Sequence, residues 1–217
     1  MRHFESEIND LKESLVDMAS LVREMIKSIM NQLVSKEINF NEKLFELEKE
    51  VNIQEIVIDD KCLKLIALNQ PVGTDLRFIT SAMKINTDLE RMADEAVSIA
   101  KKIDVNIDIV NDISQMAEIV RQMVEDCIKS FNTNDVALAQ TVLIKDGEVD
   151  HLKDVVFKYL KELMIKSADT DVIQRYLDQI MMLRNIQRIG DHATNICEDV
   201  IFMVQGKNIR HLAFTTK

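Results

Sequence analysis

The chain is poor in the residues that break helices and form turns, with one proline and four glycines among 217 residues. It has no tryptophan, and aromatic residues make up only 5% of it. A fold of many short strands needs glycine or proline at its turns, so these shortages argue against such a fold and favour long helices with few connections. Hydrophobic residues still account for 47% of the chain, which is enough for a substantial core.

The sequence also lacks long apolar runs and any excess of positive charge. Without an apolar stretch of about 18 residues, no segment is expected to span a bilayer. The 27 basic residues are outnumbered by 37 acidic ones, which gives a formal net charge of −10. Nucleic acid is therefore not an expected partner, and an anionic membrane surface is disfavoured. The acidic surplus suits cations or basic protein surfaces.

Cysteine is scarce as well. Cys62, Cys127 and Cys197 are odd in number and form no CxxC motif. We expect them to be small buried residues in their reduced form, as is common in the cytoplasm. The chain already turns acidic at Glu5, so no secretory signal is visible after Met1. The sequence therefore predicts a cytoplasmic protein.

What the sequence does contain is helical periodicity. Apolar residues recur at spacings of three and four along six segments, as on the buried face of a helix. Pro71 and Gly73 interrupt this pattern between the second and third segments. The predicted helices are Phe4–Val34, Glu37–Leu68, a third capped by Thr74 or Asp75, Val110–Phe131, Asp135–Ile165, and a sixth capped by Asp169 or Thr170.

The third and sixth helices carry the same apolar seam. An unbroken alternation of three- and four-residue steps is typical of helices that pack in bundles at a crossing angle of about 20°. The two seams are Phe78, Ala82, Ile85, Leu89, Met92, Ala96, Ile99 and Ile103, and Met182, Ile186, Ile189, Ala193, Ile196, Val200 and Met203.

The repeated seam belongs to a tandem duplication. Asp94 aligns with Asp191 at an offset of 97 residues, and Glu48 aligns with Asp146 at an offset of 98. Short links expected within each half, at 35–36 and 132–134, make neighbouring helices antiparallel. The sequence thus predicts an all-α fold of two tandem three-helix bundles, residues 1–105 and 106–217.

Each half carries two short acidic motifs on neighbouring helices. Their members are spaced i, i+4, so each pair lies on one helix face, and carboxylate oxygens brought together in this way suit hard or borderline cations. The pairs are Glu48 and Asn52, Glu90 and Asp94, Asp146 and Asp150, and Gln187 and Asp191. Acidic residues on the outside of a bundle are more often a solvated face than a metal site. The recurrence of the same register in both halves keeps the metal hypothesis open beside that reading.

Other chemistry has weaker support. Glu148 and His151 form one ExxH motif, whereas a di-iron site of the ferritin type needs two facing inward. His192 follows Asp191 directly, and a surface or capping role is favoured for it over metal binding. Arg91 and Arg188 are expected to pair with neighbouring carboxylates. The sequence shows no nucleophile with a matching base, so an enzyme is the less economical interpretation.

Three segments resemble the PhoU family. Residues 68–77, LNQPVGTDLR, are similar to its QQPVAxDLR motif. Residues 88–95, DLERMADE, resemble its first acidic helix motif, and residues 188–196, RIGDHATNI, resemble the second, usually ERIGDHATNI. The opening, from Arg2 to Met18, is similar too, so the resemblance covers essentially the whole chain.

The resemblance implies two three-helix bundles, usually as a homodimer in the cytoplasm. It also implies a role with the high-affinity phosphate ABC transporter and its sensor histidine kinase, keeping the phosphate-starvation response off and restraining uptake. Members can carry metal at the acidic motifs, so Fe, Zn, Mn or Mg is the expected cofactor. By position, one site would use Glu48, Glu90 and Asp94, and the other Asp146, Asp150 and Asp191.

The chain departs from the family at two places. Gln187 stands where the family usually has glutamate, and Asn52 stands where an acid would complete the pair on the second helix. Both remain potential weaker ligands, and we expect fewer or more weakly bound metals than in a fully acidic relative. Two alternatives to a regulatory adaptor stay open: a metal-dependent phosphoesterase or metal-storage protein, and an accessory of a low-affinity phosphate carrier.

Overall fold

The computed structural model describes residues 2–36, 42–103 and 109–210, and six α-helices contain most of them. The helices are α1 Arg2–Ser35, α2 Glu42–Asn69, α3 Gly73–Ala100, α4 Asn111–Thr133, α5 Val136–Lys166 and α6 Thr170–Gln205. No strand occurs in these three ranges, and the all-α prediction is confirmed. The predicted start of the second helix at Glu37 and the predicted boundary after residue 105 lie outside the described residues.

Each half is a bundle of three helices that contact one another, α1 to α3 and α4 to α6. The halves join where α3 packs against α6 and α1 against α4. Four helices therefore lie side by side in the order α2, α3, α6, α5, and α1 and α4 cover one side of this layer. We call the uncovered side the open side. None of the helices in the described ranges combines the length and apolar composition that a membrane span requires.

The predicted seams form the centre of the core. Between Ala82 and Ile99 on α3, every seam residue is at most 1% exposed, and α6 is buried in the same register from Met182 to Val200. The seam ends, Phe78, Ile103 and Met203, are only partly buried. All three cysteines are buried and unbridged, as the sequence predicts.

Of the two predicted caps, Asp169 is confirmed and the other is wrong, and Asp135, predicted as the first residue of the fifth helix, caps α5 instead. Asp135 accepts a hydrogen bond from the backbone N–H of Leu138, and Asp169 accepts from two N–H groups at the start of α6. Neither Thr74 nor Asp75 caps α3, because Val72 holds the N-cap position without a side-chain hydrogen bond. Left-handed backbone at Gln70 and Gly73 reverses the chain around Pro71, so the helix begins before those polar residues.

Candidate functional site

The two predicted acidic motifs of the first half lie in the groove between α2 and α3. Asn86 on α3 donates from Nδ2 to the Glu55 carbonyl oxygen and to Asp59 Oδ1, both at 2.9 Å. This contact fixes the antiparallel register of α2 and α3. Two turns further along α3, the register places Asp94 across from Glu48.

Glu55 joins this groove, although the sequence did not single it out. Burial raises the pKa of Glu90, and the negative charges of Asp94 and Glu55 raise it further, against Arg91 and His192, which lower it. The side chains of Glu55, Glu90 and Asp94 are therefore near neighbours. Glu55 is seven residues after Glu48, so the helical period would have put both on one side of α2. We call Glu48, Asn52, Glu55, Glu90 and Asp94 the first acidic face.

The side-chain amide of Asn52 uses its nitrogen, but not its oxygen, in a hydrogen bond to a described residue. Its Nδ2 donates to Glu48 Oε1 at 2.7 Å. Its Oδ1 is buried without a hydrogen-bond partner among the described residues. A buried acceptor left without a donor costs about 1–3 kcal/mol, which a bound cation would recover. The amide thus has the free oxygen that a weaker metal ligand needs.

The second acidic face, made of Asp146, Asp150, Gln187 and Asp191, lies between α5 and α6. Gln187 donates from Nε2 to Asp150 Oδ1 at 2.5 Å and so bridges the two helices. Burial raises the pKa of Asp146 to about 6, with further contributions from the negative charges of Asp191 and Asp150. The structure therefore places all four predicted residues of this half along one groove.

The two faces differ in their charge. Lys153, which aligns with Glu55 at the offset of 98, lies near enough to lower the pKa of Asp191. The first face thus has four carboxylates, whereas the second has three with a lysine beside them. The departures at Asn52 and Gln187, one in each half, therefore do not give the full difference between the two faces.

The oxygen atoms on the two acidic faces are of the kind that a hard cation binds, but the side chains are not arranged to hold one. Carboxylate and amide oxygens are suitable ligands, and the unpaired Asn52 Oδ1 points the same way. Across the ranges 2–36, 42–103 and 109–210, however, no three Asp, Glu, His or Cys side chains are grouped so that they could hold a metal ion. Metal binding at these faces stays a prediction.

A polar network joins the two halves between the faces. His192 Nδ1 lies 2.8 Å from Asp88 Oδ1, and Asn195 donates to the same oxygen at 3.2 Å. Arg188 Nη1 lies 2.8 Å from Oε1 of the buried Glu95. His192 therefore pairs across the helix joint, and its metal-binding role has no structural support. The expected ion pairing of Arg188 is confirmed.

The network repeats with the internal symmetry of the chain. When the Asn185 side-chain amide is turned so that its nitrogen faces acceptors, that nitrogen donates to Glu95 Oε2 at 3.2 Å. At the offset of 97, Asn185 corresponds to Asp88 and Glu95 to His192. The same two positions are thus paired twice between α3 and α6. We call this contact between the two helices the joint, and it holds both acidic faces on the open side. Arg91 makes the more local contact expected of it, 3.5 Å from Glu90.

The remaining sequence candidates do not converge. Glu148 and His151, which form the ExxH motif, are both exposed on α5. A cavity of about 660 Å³ opens beside the first face. The cavity is lined by side chains of both charges and by three uncharged ones: Asp59, Lys84, Asp88, Glu198 and Arg210, with Met83, Thr87 and Asn195.

The raised pKa of Asp146 predicts how the stability of the protein, freed of metal by a chelator, depends on pH. A folded-state pKa near 6, above the ordinary value of 3.8, means that the ionised carboxylate opposes folding. Stability should therefore be lost as the pH rises through about 6, and Asp146→Asn should remove this loss. We expect the variant to exceed the wild type by about 1 kcal/mol near pH 7.5, since water partly screens the site, and to match it below about pH 4.

Urea denaturation at several pH values measures this difference. Glu148→Gln, which changes an exposed carboxylate on the same helix, is the matched control and should follow the wild type. A constant difference between Asp146→Asn and wild type at every pH would contradict the prediction.

Comparison with known proteins identifies the family. The model of the PhoU domain matches the chain twice, at residues 15–103 and 113–200. The phosphate-specific transport system accessory protein PhoU homolog of Pseudomonas aeruginosa is 31% identical, with 99% of this chain and 90% of the relative covered. The protein of that name from Clostridium acetobutylicum is 32% identical, with 95% and 96% covered.

Solved structures agree with the sequence relatives. The crystal structure of PhoU from P. aeruginosa has a TM-score of 0.82 at 30% identity and covers 94% of this chain and 100% of that one. The phosphate transport system regulatory protein PhoU from Streptococcus pneumoniae gives 0.83 at 26% identity, with 94% and 98% covered. With both halves matched and relatives above 30% identity along nearly the whole length, the chain belongs to the PhoU family.

Proposed function

We propose that this protein is a negative regulator of phosphate uptake and of the phosphate-starvation response that acts by protein contact in the cytoplasm. The observation that carries the proposal is the doubled PhoU domain over nearly the whole chain, shared with relatives named as accessory proteins of the phosphate-specific transport system. Its partners would be the phosphate ABC transporter and the associated sensor histidine kinase. The rigid joint between α3 and α6 would present both halves of the open side to them as one surface.

A deletion strain tests this proposal. Without the gene, a reporter of phosphate starvation should become active in phosphate-rich medium, and the intact chain should silence it again. Pull-down at moderate salt should recover the transporter's cytoplasmic subunit or the kinase. A reporter that stays silent in the deletion strain would refute the regulatory role. Light scattering of the purified protein would test the expected homodimer.

Metal on the acidic faces is the second part of the proposal. Bound Fe, Zn, Mn or Mg would offset the repulsion among the clustered carboxylates and would stabilise the fold by mass action. At about 100 times the dissociation constant, this gain is about 2.7 kcal/mol. It should therefore raise the melting temperature by roughly 5–10 °C in a chain of this length. The Asp94→Ala/Asp191→Ala variant should lose both this shift and the metal found by elemental analysis.

The control for the metal test removes equal charge elsewhere. Asp10 and Asp17 are exposed on α1, away from both faces, so Asp10→Ala/Asp17→Ala should keep the metal and the thermal shift. If wild type shows no metal after reconstitution, the carboxylates are only a solvated face, and the regulatory role then rests on protein contact alone. Hydrolysis of a phosphoester with Mn or Fe, lost in Asp94→Ala/Asp191→Ala, would instead support the enzymatic alternative.

A further inference from the structure

The open side of α6 carries an exposed stripe of apolar and basic residues before the second acidic face. Leu177, Met181, Arg184 and Arg188 are spaced by four, three and four residues, so they share one helix face. Leu177 is 39% exposed and Met181 is 51% exposed, although both are large apolar side chains. Exposed apolar groups that lie together indicate a binding surface rather than a feature of the fold.

A neighbouring stretch of α5 extends this stripe across the groove. Phe157 is 44% exposed and lies two turns beyond Asp150 on the same flank of α5. The bridge between Asp150 and Gln187 fixes the antiparallel register of α5 and α6. Seven residues back from Gln187 on α6 is Ile180, so the register places Phe157 across from Ile180 and near the adjacent Met181.

Positive charges flank these apolar groups. Lys161 is one turn after Phe157, and Arg184 is nearly one turn after Met181; both are exposed. Neither forms an ion pair within 4 Å with any residue that the structure describes. We call Phe157, Lys161, Leu177, Met181 and Arg184 the α5–α6 groove. The charge of Arg184 does act on the buried Glu95, whose pKa it lowers. Exposed basic side chains beside apolar ones nevertheless stand out on a chain whose formal net charge is −10.

The duplication provides an internal control for this composition. In the first half, the residues corresponding to Phe157, Leu177 and Met181 are Asp59, Thr80 and Lys84. Asp59 and Lys84 line the polar cavity described above. These three positions are thus polar in the first half and apolar in the second. The bundle does not require the composition of the groove, and an intermolecular contact accounts for it.

We infer that the α5–α6 groove binds an acidic amphipathic helix of a protein partner. The apolar side chains would receive the apolar face of that helix, and Lys161 and Arg184 would pair with carboxylates along its edge. This inference rests on the proposed function, because it names the surface through which the protein would hold a component of the phosphate transport system. An acidic helix is favoured over an anionic membrane because the helix meets only the groove, whereas a membrane would also meet the surrounding surface of a chain with net charge −10.

A designed peptide tests the groove directly. The probe is a fluorescein-labelled helix of about 18 residues with leucine or phenylalanine at positions i, i+3, i+4 and i+7 and glutamate beside them. Fluorescence anisotropy with the full-length protein should show saturable binding that weakens as salt is added. A peptide of the same composition in scrambled order should bind at least about tenfold more weakly.

Two groove variants separate the apolar contribution from the charge. Phe157→Ser/Met181→Ser and Lys161→Glu/Arg184→Glu change only exposed side chains, and each should weaken peptide binding by at least about tenfold. Ile53→Ser/Ile56→Ser is the matched control, because Ile53 and Ile56 are 64% and 68% exposed on α2, outside the groove. It should bind the peptide as the wild type does. Circular dichroism should show unchanged helicity in all three.

Three results would overturn the inference. The designed and scrambled peptides could bind equally, the groove variants could bind as well as the control, or vesicles of phosphatidylcholine with phosphatidylglycerol could replace the peptide as the groove's ligand. The reporter strain separates this proposal from the proposed function. If Phe157→Ser/Met181→Ser represses the reporter as the wild type does, the function stands and the groove proposal fails.

Discussion

Replacing Ile189 by alanine is expected to lower the free energy of unfolding by about 3 kcal/mol. Ile189 is fully buried in the seam where α6 meets α3. The register set by Glu95 and Arg188 places it close to Met92, near the middle of the joint between the halves. Truncation removes apolar contacts and leaves a cavity that long, mutually packed helices cannot close by shifting. Urea denaturation should show a lower midpoint, and the melting temperature should fall by roughly 10 °C.

Two further variants make this prediction specific to the joint. Met92→Ala, at the position corresponding to Ile189, is fully buried as well and should cost a similar amount. Ile53→Ala removes the same group from a side chain that is 64% exposed and should change stability by less than about 0.5 kcal/mol. A loss below about 1 kcal/mol for Ile189→Ala would mean that the joint repacks around the cavity and is not rigid.

Removing both cations that neutralise Asp199 should lower the free energy of unfolding about as much as Ile189→Ala does. The Asp199 side chain is 2% exposed and lies 3.5 Å from Lys84 Nζ and 3.0 Å from Arg210 Nη2. Lys84→Ala/Arg210→Ala would leave a buried carboxylate without a counter-charge. We expect a loss of about 3 kcal/mol near pH 7.5. Urea denaturation measures it.

The pH dependence distinguishes this effect from lost packing. Burial raises the pKa of Asp199, whereas Lys84 and Arg210 lower it, so their removal raises the folded-state pKa further above the unfolded value. The penalty is then present above that folded-state pKa and is recovered as the pH falls through it, because the folded protein binds the proton more tightly. The deficit should therefore be smaller at a pH below that folded-state pKa than at pH 7.5.

Asp199→Asn in the same background is the matched rescue. It removes the buried charge at every pH, so it should restore most of the loss near pH 7.5. Lys84 also lies 5.7 Å from the centre of the Phe202 ring, and the rescue will not recover that contact. An equal deficit at both pH values, with no rescue by Asp199→Asn, would assign the effect to packing instead of charge.

The helices and their order could be predicted because they depend on local periodicity. Scarce proline and glycine, together with apolar steps of three and four residues, leave long amphipathic helices as the consistent solution. The register of the duplication was equally accessible, and the seam from Met182 to Val200 is buried as its copy on α3 is. The start of α3 was mispredicted because backbone geometry at Gln70 and Gly73, rather than the polar residues that follow, sets it.

The candidate site was only partly predictable for a different reason. Acidic pairs at i, i+4 show which side chains share a helix face, but they do not show which residue of the neighbouring helix completes the set. Glu55 and Lys153 each lie seven residues after a predicted member of their own helix, but only packing between helices brings Glu55 near Glu90 and Lys153 near Asp191, which gives the faces different charges. His192 likewise found its partner, Asp88, more than a hundred residues away in the chain.

By itself, the sequence determined the fold class, the duplication, the family motifs and the two predicted acidic faces. Each of these follows from the spacing of residues along the chain. Only the tertiary structure decided how α3 and α6 join, which carboxylates are buried against which cations, and where apolar and basic residues of α5 and α6 form one groove. Those properties depend on the register between helices, which side-chain packing sets and no local pattern of residues specifies.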